Sequence, residues 1–84
     1  MTEKITNTQL EQLFKDRNDV HDAQVTGDEY HYQLTIIADL FTNKSKIARQ
    51  QWVYKLLNEH IISGRLHAIT IQAWTVLEWE TQRG

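Results

Sequence analysis

Histidine is the side chain through which this sequence could most readily bind a metal. The chain carries four histidines and no cysteine, and neutral imidazole is a common ligand of zinc, copper and iron. His31 and His67 each stand at the start of a predicted strand, so both are candidate metal ligands. The alternative for both is that a histidine at a strand edge only hydrogen-bonds a backbone group or water. We expect His60 to be structural and His21 to be solvated.

The lack of cysteine excludes several kinds of site. A thiol nucleophile, a thioredoxin-type pair, a zinc finger and an iron–sulfur site with its own cysteine ligands all need a residue that is absent. The sequence also has no Ser–His–Asp ordering, phosphate-binding loop or pair of carboxylates that indicates catalysis. A chain of 84 residues rarely encloses a substrate pocket. We therefore expect a protein that is not an enzyme and has no small-molecule substrate.

Composition predicts one globular domain spanning residues 1–84. Apolar residues make up 40% and charged residues 24%, the formal net charge is −2, and no disulfide can form. No apolar run approaches the roughly 18 residues of a membrane span, and the first residues lack the apolar stretch of a signal peptide. These features lead us to expect a cytoplasmic protein with no membrane partner.

Basic residues concentrate in one part of this mildly acidic chain. Between Lys44 and Arg65 the only acidic residue is Glu59. The basic side chains of this segment are Lys44, Lys46, Arg49, Lys55 and Arg65. They could contact DNA phosphates, with an affinity that falls steeply with salt. They could equally dock an acidic protein surface or form a solvated helix face.

Three helices are predicted from capping signals. Thr8-x-x-Glu11 fits a capping box for a first helix that ends near Asn18. Ser45 is the predicted N-cap of the main helix, which runs to about Ser63 and ends at Gly64. Thr75-x-x-Glu78 is a second capping box and opens a short terminal helix.

Three strands complete the predicted fold. They cover residues 22–26, 30–38 and 66–73, and a turn at Gly27-Asp28 joins the first two as a hairpin. The order α-β-β-α-β-α makes strands two and three parallel neighbours. We therefore predict an α/β (α+β) fold with a three-stranded mixed sheet and helices on one face. Adjacent strands lie about 4.8 Å apart, so His31 and His67 would meet at one end of the sheet.

The main helix is predicted to bury one apolar stripe. At 100° per residue, the stripe consists of Ile47, Val53, Tyr54, Leu57 and Ile61. Trp52 falls outside it, beside Lys55 and Glu59. A tryptophan on the polar side of a helix indicates either a partner interface or a site that the terminal segment with Trp79 covers.

An ordered set of motifs resembles the BolA family, in particular its IbaG (YrbA) subgroup. From Val25 onward it covers about two-thirds of the chain. The motifs are Thr26-Gly27-Asp28, His31-Tyr32-Gln33, Leu40-Phe41, Arg49-Gln50-Gln51, Val53-Tyr54, Leu66-His67-Ala68-Ile69 and Trp74-Thr75-x-x-Glu78-Trp79. The resemblance implies a fold related to type II KH domains, although no GXXG loop that would grip nucleic acid is present.

The resemblance also implies two functions. One is partnership with a monothiol glutaredoxin, sharing a [2Fe–2S] cluster that glutathione helps to hold; His67 matches the family's ligand position, and His31 matches a family histidine. The other is DNA binding in transcription regulation. Many relatives carry a Cys or His between the first two strands, but residues 26–30 contain neither. Asn43 and Val76 stand where relatives often have Gly and Pro.

Overall fold

Six main elements follow one another in the order that the sequence predicts. The computed structural model describes residues 4–28 and 30–83; positions 1–3, 29 and 84 of the predicted domain lie outside the described residues. The elements are α1 (Asn7–Lys15), β1 (Asp22–Gly27), β2 (His31–Ile37), α2 (Lys46–Ile62), β3 (Ala68–Trp74) and α3 (Val76–Arg83). A short 3-10 turn, Asp39–Phe41, lies between β2 and α2.

The three strands form one mixed sheet in the order β1-β2-β3. β1 is antiparallel to β2, with Asp22 opposite Ile37 and Gly27 opposite Tyr32. β2 is parallel to β3, from His31 opposite Ala68 to Ile37 opposite Trp74. This pairing confirms the predicted hairpin and crossover.

Side chains alternate along β2 between a buried and an open face of the sheet. Tyr32, Leu34 and Ile36 are buried, whereas His31 and Gln33 are exposed. The buried face meets α1 and α2 in a core that includes Leu10, Phe14, Phe41, Val53 and Leu57. The predicted alternation of β2 is thus confirmed.

The amino-terminal segment is fixed to the core before α1 begins. Ile5 is buried, and its carbonyl oxygen accepts a hydrogen bond from the hydroxyl of Tyr32 on the central strand β2. The Ile5 amide donates to the carbonyl oxygen of Arg65 at 3.0 Å. The segment therefore links β2 to the chain just before β3.

The start of α1 differs from the prediction by two residues. Thr6, not Thr8, is the N-cap: its hydroxyl accepts from the Gln9 amide, and the Gln9 side chain accepts from the Thr6 amide, both at 3.0 Å. Thr6-x-x-Gln9 satisfies the same capping rule. Glu11 instead accepts from the amide of Val25 at 3.0 Å and so joins α1 to β1. The helix ends at Lys15, before the predicted Asn18.

The ends of α2 and the start of α3 agree with the prediction. The Ser45 hydroxyl accepts from the Ala48 amide at 3.1 Å, and Gly64 ends α2 with a positive φ of 82°. Thr75 and Glu78 form the predicted capping box, with bonds of 3.1 and 2.9 Å. Asn43 adopts the left-handed conformation, at a φ of 66°, that a Gly would allow.

The predicted buried stripe of α2 is only partly correct. Val53 and Leu57 are buried, but Ile47 is 71% exposed, and Tyr54 and Ile61 are exposed as well. The helix is rotated so that Val53 and Leu57 lie near the centre of its core face. A helical wheel identifies the most apolar face of the α2 sequence. In the structure, α2 instead packs with Trp52 in contact with the rings of Phe14 and Phe41.

Candidate functional site

His31 and His67 lie at the same end of the sheet, as predicted. His31 is the first residue of β2, and its partner in the parallel ladder is Ala68, the residue that follows His67. Both side chains are exposed. The register therefore brings to one end of the sheet two histidines that are 36 positions apart in the printed sequence.

The backbone before His31 is held by a tight turn. One Asp28 carboxylate oxygen accepts from the amides of Tyr30 and His31, both at 3.0 Å. The bond from the His31 amide, and then that from the Tyr30 amide, lower the pKa of Asp28 from its ordinary value. Gly27 enters the turn at a φ of 121°, which an L side chain rarely adopts. The turn fixes where β2 starts and hence where His31 lies.

The His31 ring already has a neighbour on the open face of the sheet. Its Nε2 atom lies 2.9 Å from the hydroxyl oxygen of Thr70 on β3. A metal ligand at this nitrogen would have to replace that contact. His31 is therefore less available as a ligand than its exposure alone indicates.

The His67 ring, by contrast, is unengaged. Within residues 4–28 and 30–83 it has no hydrogen-bond or ion-pair partner. Its backbone is well fixed, because Leu66 before it is buried and donates to the His60 carbonyl oxygen at 3.1 Å. The arrangement presents one accessible imidazole on an anchored segment.

The other two histidines lie elsewhere. His21 is exposed just before β1, and its amide donates to the carbonyl oxygen of Ile37, at the opposite end of the sheet. His60 is partly buried near the end of α2. In the described part of the chain, no three His, Asp or Glu side chains are grouped so that they could hold a metal ion. Among the described residues, the metal-ligating group at the His67 end that has no contact within the fold is therefore the His67 imidazole.

Arg49 differs from the other basic residues because its donors are used within the fold. Its guanidinium donates to the carbonyl oxygens of Lys44 and Ala73, both at 3.0 Å, and to both carboxylate oxygens of Glu78 at 2.7 and 3.2 Å. The Arg49 side chain is only 11% exposed. Few of its donors therefore remain for a phosphate, so Arg49 is less available to DNA than its charge alone indicates, and its DNA contact stays a prediction.

Glu78 is the acidic partner of that arginine. Hydrogen bonds from Arg49 first, and then from the Thr75 amide, lower the pKa of Glu78 from 4.5 to about 2. Nothing in the local sequence predicts this pair, because the two residues are 29 positions apart. The pair joins α2 to α3, and sequence motifs alone do not predict it.

The remaining basic residues do not form one patch. Lys44, Lys46 and Lys55 are exposed, whereas Arg65 is partly buried beyond the far end of α2. Nine positions at 100° each place Lys46 and Lys55 on opposite sides of the helix. Only Lys44 and Lys46 remain together, beside the amino-terminal end of α2.

Trp52 is not an exposed side chain on the polar face. It is partly buried, with its ring 5.5 Å from that of Phe41 in an edge-on arrangement and 6.5 Å from that of Phe14. Arg17 lies 5.3 Å from its ring. Trp79 packs instead against Trp74, at 6.4 Å. Trp79 thus contacts Trp74 rather than Trp52, and the role of Trp52 at a partner interface stays a prediction.

A comparison with known proteins decides the family. The model of the family described as BolA-like protein matches residues 2–78. The chain belongs to the BolA family. It is 32% identical to the acid stress protein IbaG of Escherichia coli K12 over 77 residues, which cover 92% of each chain. It is 36% identical to the DNA-binding transcriptional regulator BolA of Haemophilus influenzae over 56 residues, 67% of this chain and 53% of that one.

The structural comparison agrees with the BolA assignment. The BolA domain of SufE1 from Arabidopsis thaliana superposes with a TM-score of 0.75 at 29% identity, over 86% of this BolA-family chain and 93% of that domain. The similarity to IbaG also confirms the subgroup that the motifs resemble. Among the described residues, no helix has the length and apolar content needed to cross a membrane.

Proposed function

We propose that this BolA-family protein is a non-enzymatic adaptor that docks with a monothiol glutaredoxin and donates the imidazole of His67 to that partner's [2Fe–2S] cluster. The observation that carries the proposal is the exposed His67 ring, which has no partner among the described residues and lies on an anchored segment. The cluster is cargo, handled in iron–sulfur trafficking or iron-responsive regulation.

The composition of the chain supports a shared site. With no cysteine, the chain can offer imidazole but no thiolate, so the sulfur ligands come from the glutaredoxin and from glutathione. Replacing a thiolate by imidazole raises the reduction potential of a [2Fe–2S] centre. Binding of the adaptor would thus change both the ligand set and the redox behaviour of the cluster.

His31 is the second candidate ligand at this end of the sheet. Its register position opposite Ala68 places it near His67, but its Nε2 would first have to leave the Thr70 hydroxyl. We therefore assign the primary ligand role to His67. Substitution of His31 is expected to have a smaller effect on the cluster than substitution of His67.

The test is a titration of a cluster-loaded monothiol glutaredoxin with the whole chain. Wild-type protein should change the visible absorption and circular dichroism of the cluster, and His67→Ala should abolish the change. His21→Ala is the matched control, because it removes an exposed histidine at the opposite end of the sheet. A wild-type response from His67→Ala would disprove the ligand assignment.

DNA binding in transcription regulation is the second candidate function. It is favoured by the two neighbouring exposed lysines, Lys44 and Lys46, and by the similarity to the Haemophilus influenzae protein named as a DNA-binding transcriptional regulator. Arg49 is a weaker candidate for a DNA contact, because its guanidinium donates to Ala73 and Glu78 within the fold. Lys55, on the opposite side of α2 from Lys46, and Arg65, beyond the end of that helix, remain secondary candidates for DNA contacts.

A further inference from the structure

The outer edge of β3 is an unpaired strand edge. β3 is the last strand of the sheet, and the Ala38 amide donates to the carbonyl oxygen of Trp74 at 2.9 Å, so the backbone of Trp74 faces β2. Backbone groups alternate in direction along a strand. Those of Ile69, Ile71 and Ala73 therefore face outward.

A second contact confirms this direction. The Arg49 guanidinium, which lies outside the sheet on α2, donates to the Ala73 carbonyl oxygen at 3.0 Å. No partner within residues 4–28 and 30–83 satisfies the remaining outward groups, which are both backbone groups of Ile69 and Ile71 and the amide of Ala73. An edge of this kind is a template for another strand, and β3 carries none of the charged or proline residues that commonly block such pairing.

A groove of about 600 Å³ runs along this edge between α2 and α3. That volume lies within the range of ordinary ligand-binding clefts. Ile71 and Ala73 line its floor, and Leu77, which is 73% exposed, lies on the α3 side. The groove thus combines unpaired backbone groups with apolar surface for side chains.

The charges in the groove favour an acidic occupant. Its charged lining residues are Lys46, Arg49 and Glu78. Arg49 and Glu78 neutralise each other at 2.7 Å, whereas Lys46 forms no ion pair with any described residue. The net charge of the lining is therefore positive.

We propose that this groove binds an extended, acidic segment of a partner protein, which adds to β3 as a fourth strand. Backbone hydrogen bonds to Ile69, Ile71 and Ala73 would hold the segment, apolar side chains would contact Ile71 and Leu77, and an acidic side chain would pair with Lys46. A second copy of this chain fits less well, because its own β3 edge is flanked by α2 and α3 in the same way.

The lining of the groove does not include the proposed cluster ligand. His67 precedes β3, whereas the groove lining begins at Ile71 and extends to the carboxyl end of the strand. Failure of peptide binding would therefore leave the glutaredoxin proposal unaffected, and the reverse also holds.

The first test is selection of binders to the whole chain from a library of random ten-residue peptides. The recovered peptides should share an acidic residue among β-branched or other apolar residues. Lys46→Glu should weaken their affinity about fivefold. Lys55→Glu, the same charge change on the opposite side of α2, should leave it unchanged. Recovery of no binder, or an equal loss in both variants, would overturn the proposal.

The second test follows amide hydrogen exchange residue by residue in the unmodified chain. Without peptide, the amides of Ile69, Ile71 and Ala73 should exchange faster than those of Thr70 and Gln72, which face β2. A bound peptide should slow the three outward amides at least about tenfold. A peptide that binds without slowing them is not an added strand, and protection that depends only on protein concentration would indicate a second copy instead.

Discussion

Arg49 and Glu78 join α2 to α3 through two hydrogen bonds of 2.7 and 3.2 Å. The same guanidinium also donates to the backbone of Lys44 and Ala73. One side chain therefore connects the loop before α2, the end of β3 and the first turn of α3. Arg49 is therefore less available to DNA, and it also lines the groove beside β3.

Glu78 should make the free energy of unfolding depend on pH in the acid range. Because its pKa in the folded state is about 2, below the ordinary value of 4.5, its contribution is complete above about pH 4.5 and is lost as the pH falls toward 2. Glu78→Gln should lower the free energy of unfolding at neutral pH by about 1 kcal/mol, a value reduced for exposure to solvent. Urea unfolding should show this difference shrinking through the same pH range. Glu80→Gln, an exposed acid of the same helix, is the control, and a pH-independent difference would contradict the assignment.

Gly27 should be far less replaceable than Gly64. Both have positive φ, at 121° and 82°, but a Cβ at Gly27 would collide with the carbonyl oxygen of His31, whereas a Cβ at Gly64 meets no atom within 4 Å. We expect Gly64→Ala to cost about 1 kcal/mol and Gly27→Ala at least about 2 kcal/mol. Thermal and urea unfolding measure both costs. Equal costs would mean that the turn relaxes, and His31 would then be less tightly positioned than described.

The corrected orientation of α2 can be tested with two aliphatic residues. Leu57 is fully buried and Ile47 is 71% exposed. Leu57→Ala should cost about 2 to 4 kcal/mol through lost burial and a cavity, whereas Ile47→Ala should cost less than about 0.5 kcal/mol. Chemical denaturation of the two variants gives the comparison. A large cost at Ile47 would support the stripe expected from the wheel.

Any binding of duplex DNA should depend on Lys46 and not on Arg49. Each phosphate that a lysine neutralises contributes about 0.9 to the slope of log affinity against log salt concentration. Lys46→Ala should therefore reduce the magnitude of the slope by about 1, whereas Arg49→Ala should change stability and leave the slope unchanged. Fluorescence anisotropy over a salt series measures this. Absence of binding at low salt would remove DNA binding as a function.

Much of the fold could be predicted because its signals are local. Alternation along β2 identified Tyr32, Leu34 and Ile36 as core, and Ser45 and Thr75 were correct caps. The cap of α1 was misplaced because two overlapping sequences satisfy the capping rule. Periodicity identifies an apolar face, but the rotation of α2 depends on which rings the rest of the fold places beneath it.

The candidate site was predictable only where it depends on strand order. Parallel pairing was enough to bring His31 and His67 to one end of the sheet. The contact between His31 and Thr70, the internal use of Arg49 and the groove beside β3 join residues that are far apart in sequence. No spacing rule covers such contacts, because they depend on the packing of whole elements.

The attachment of Ile5 to Tyr32 and Arg65 affects how the chain would respond to a protease. Removing residues up to Ile5 would delete the Ile5 carbonyl that accepts from the buried Tyr32 hydroxyl and would also remove a buried apolar side chain. Cleavage beside Ile5 therefore requires its contacts to Tyr32 and Arg65 to open first. The rate of cleavage beside Ile5 would report how often this attachment opens.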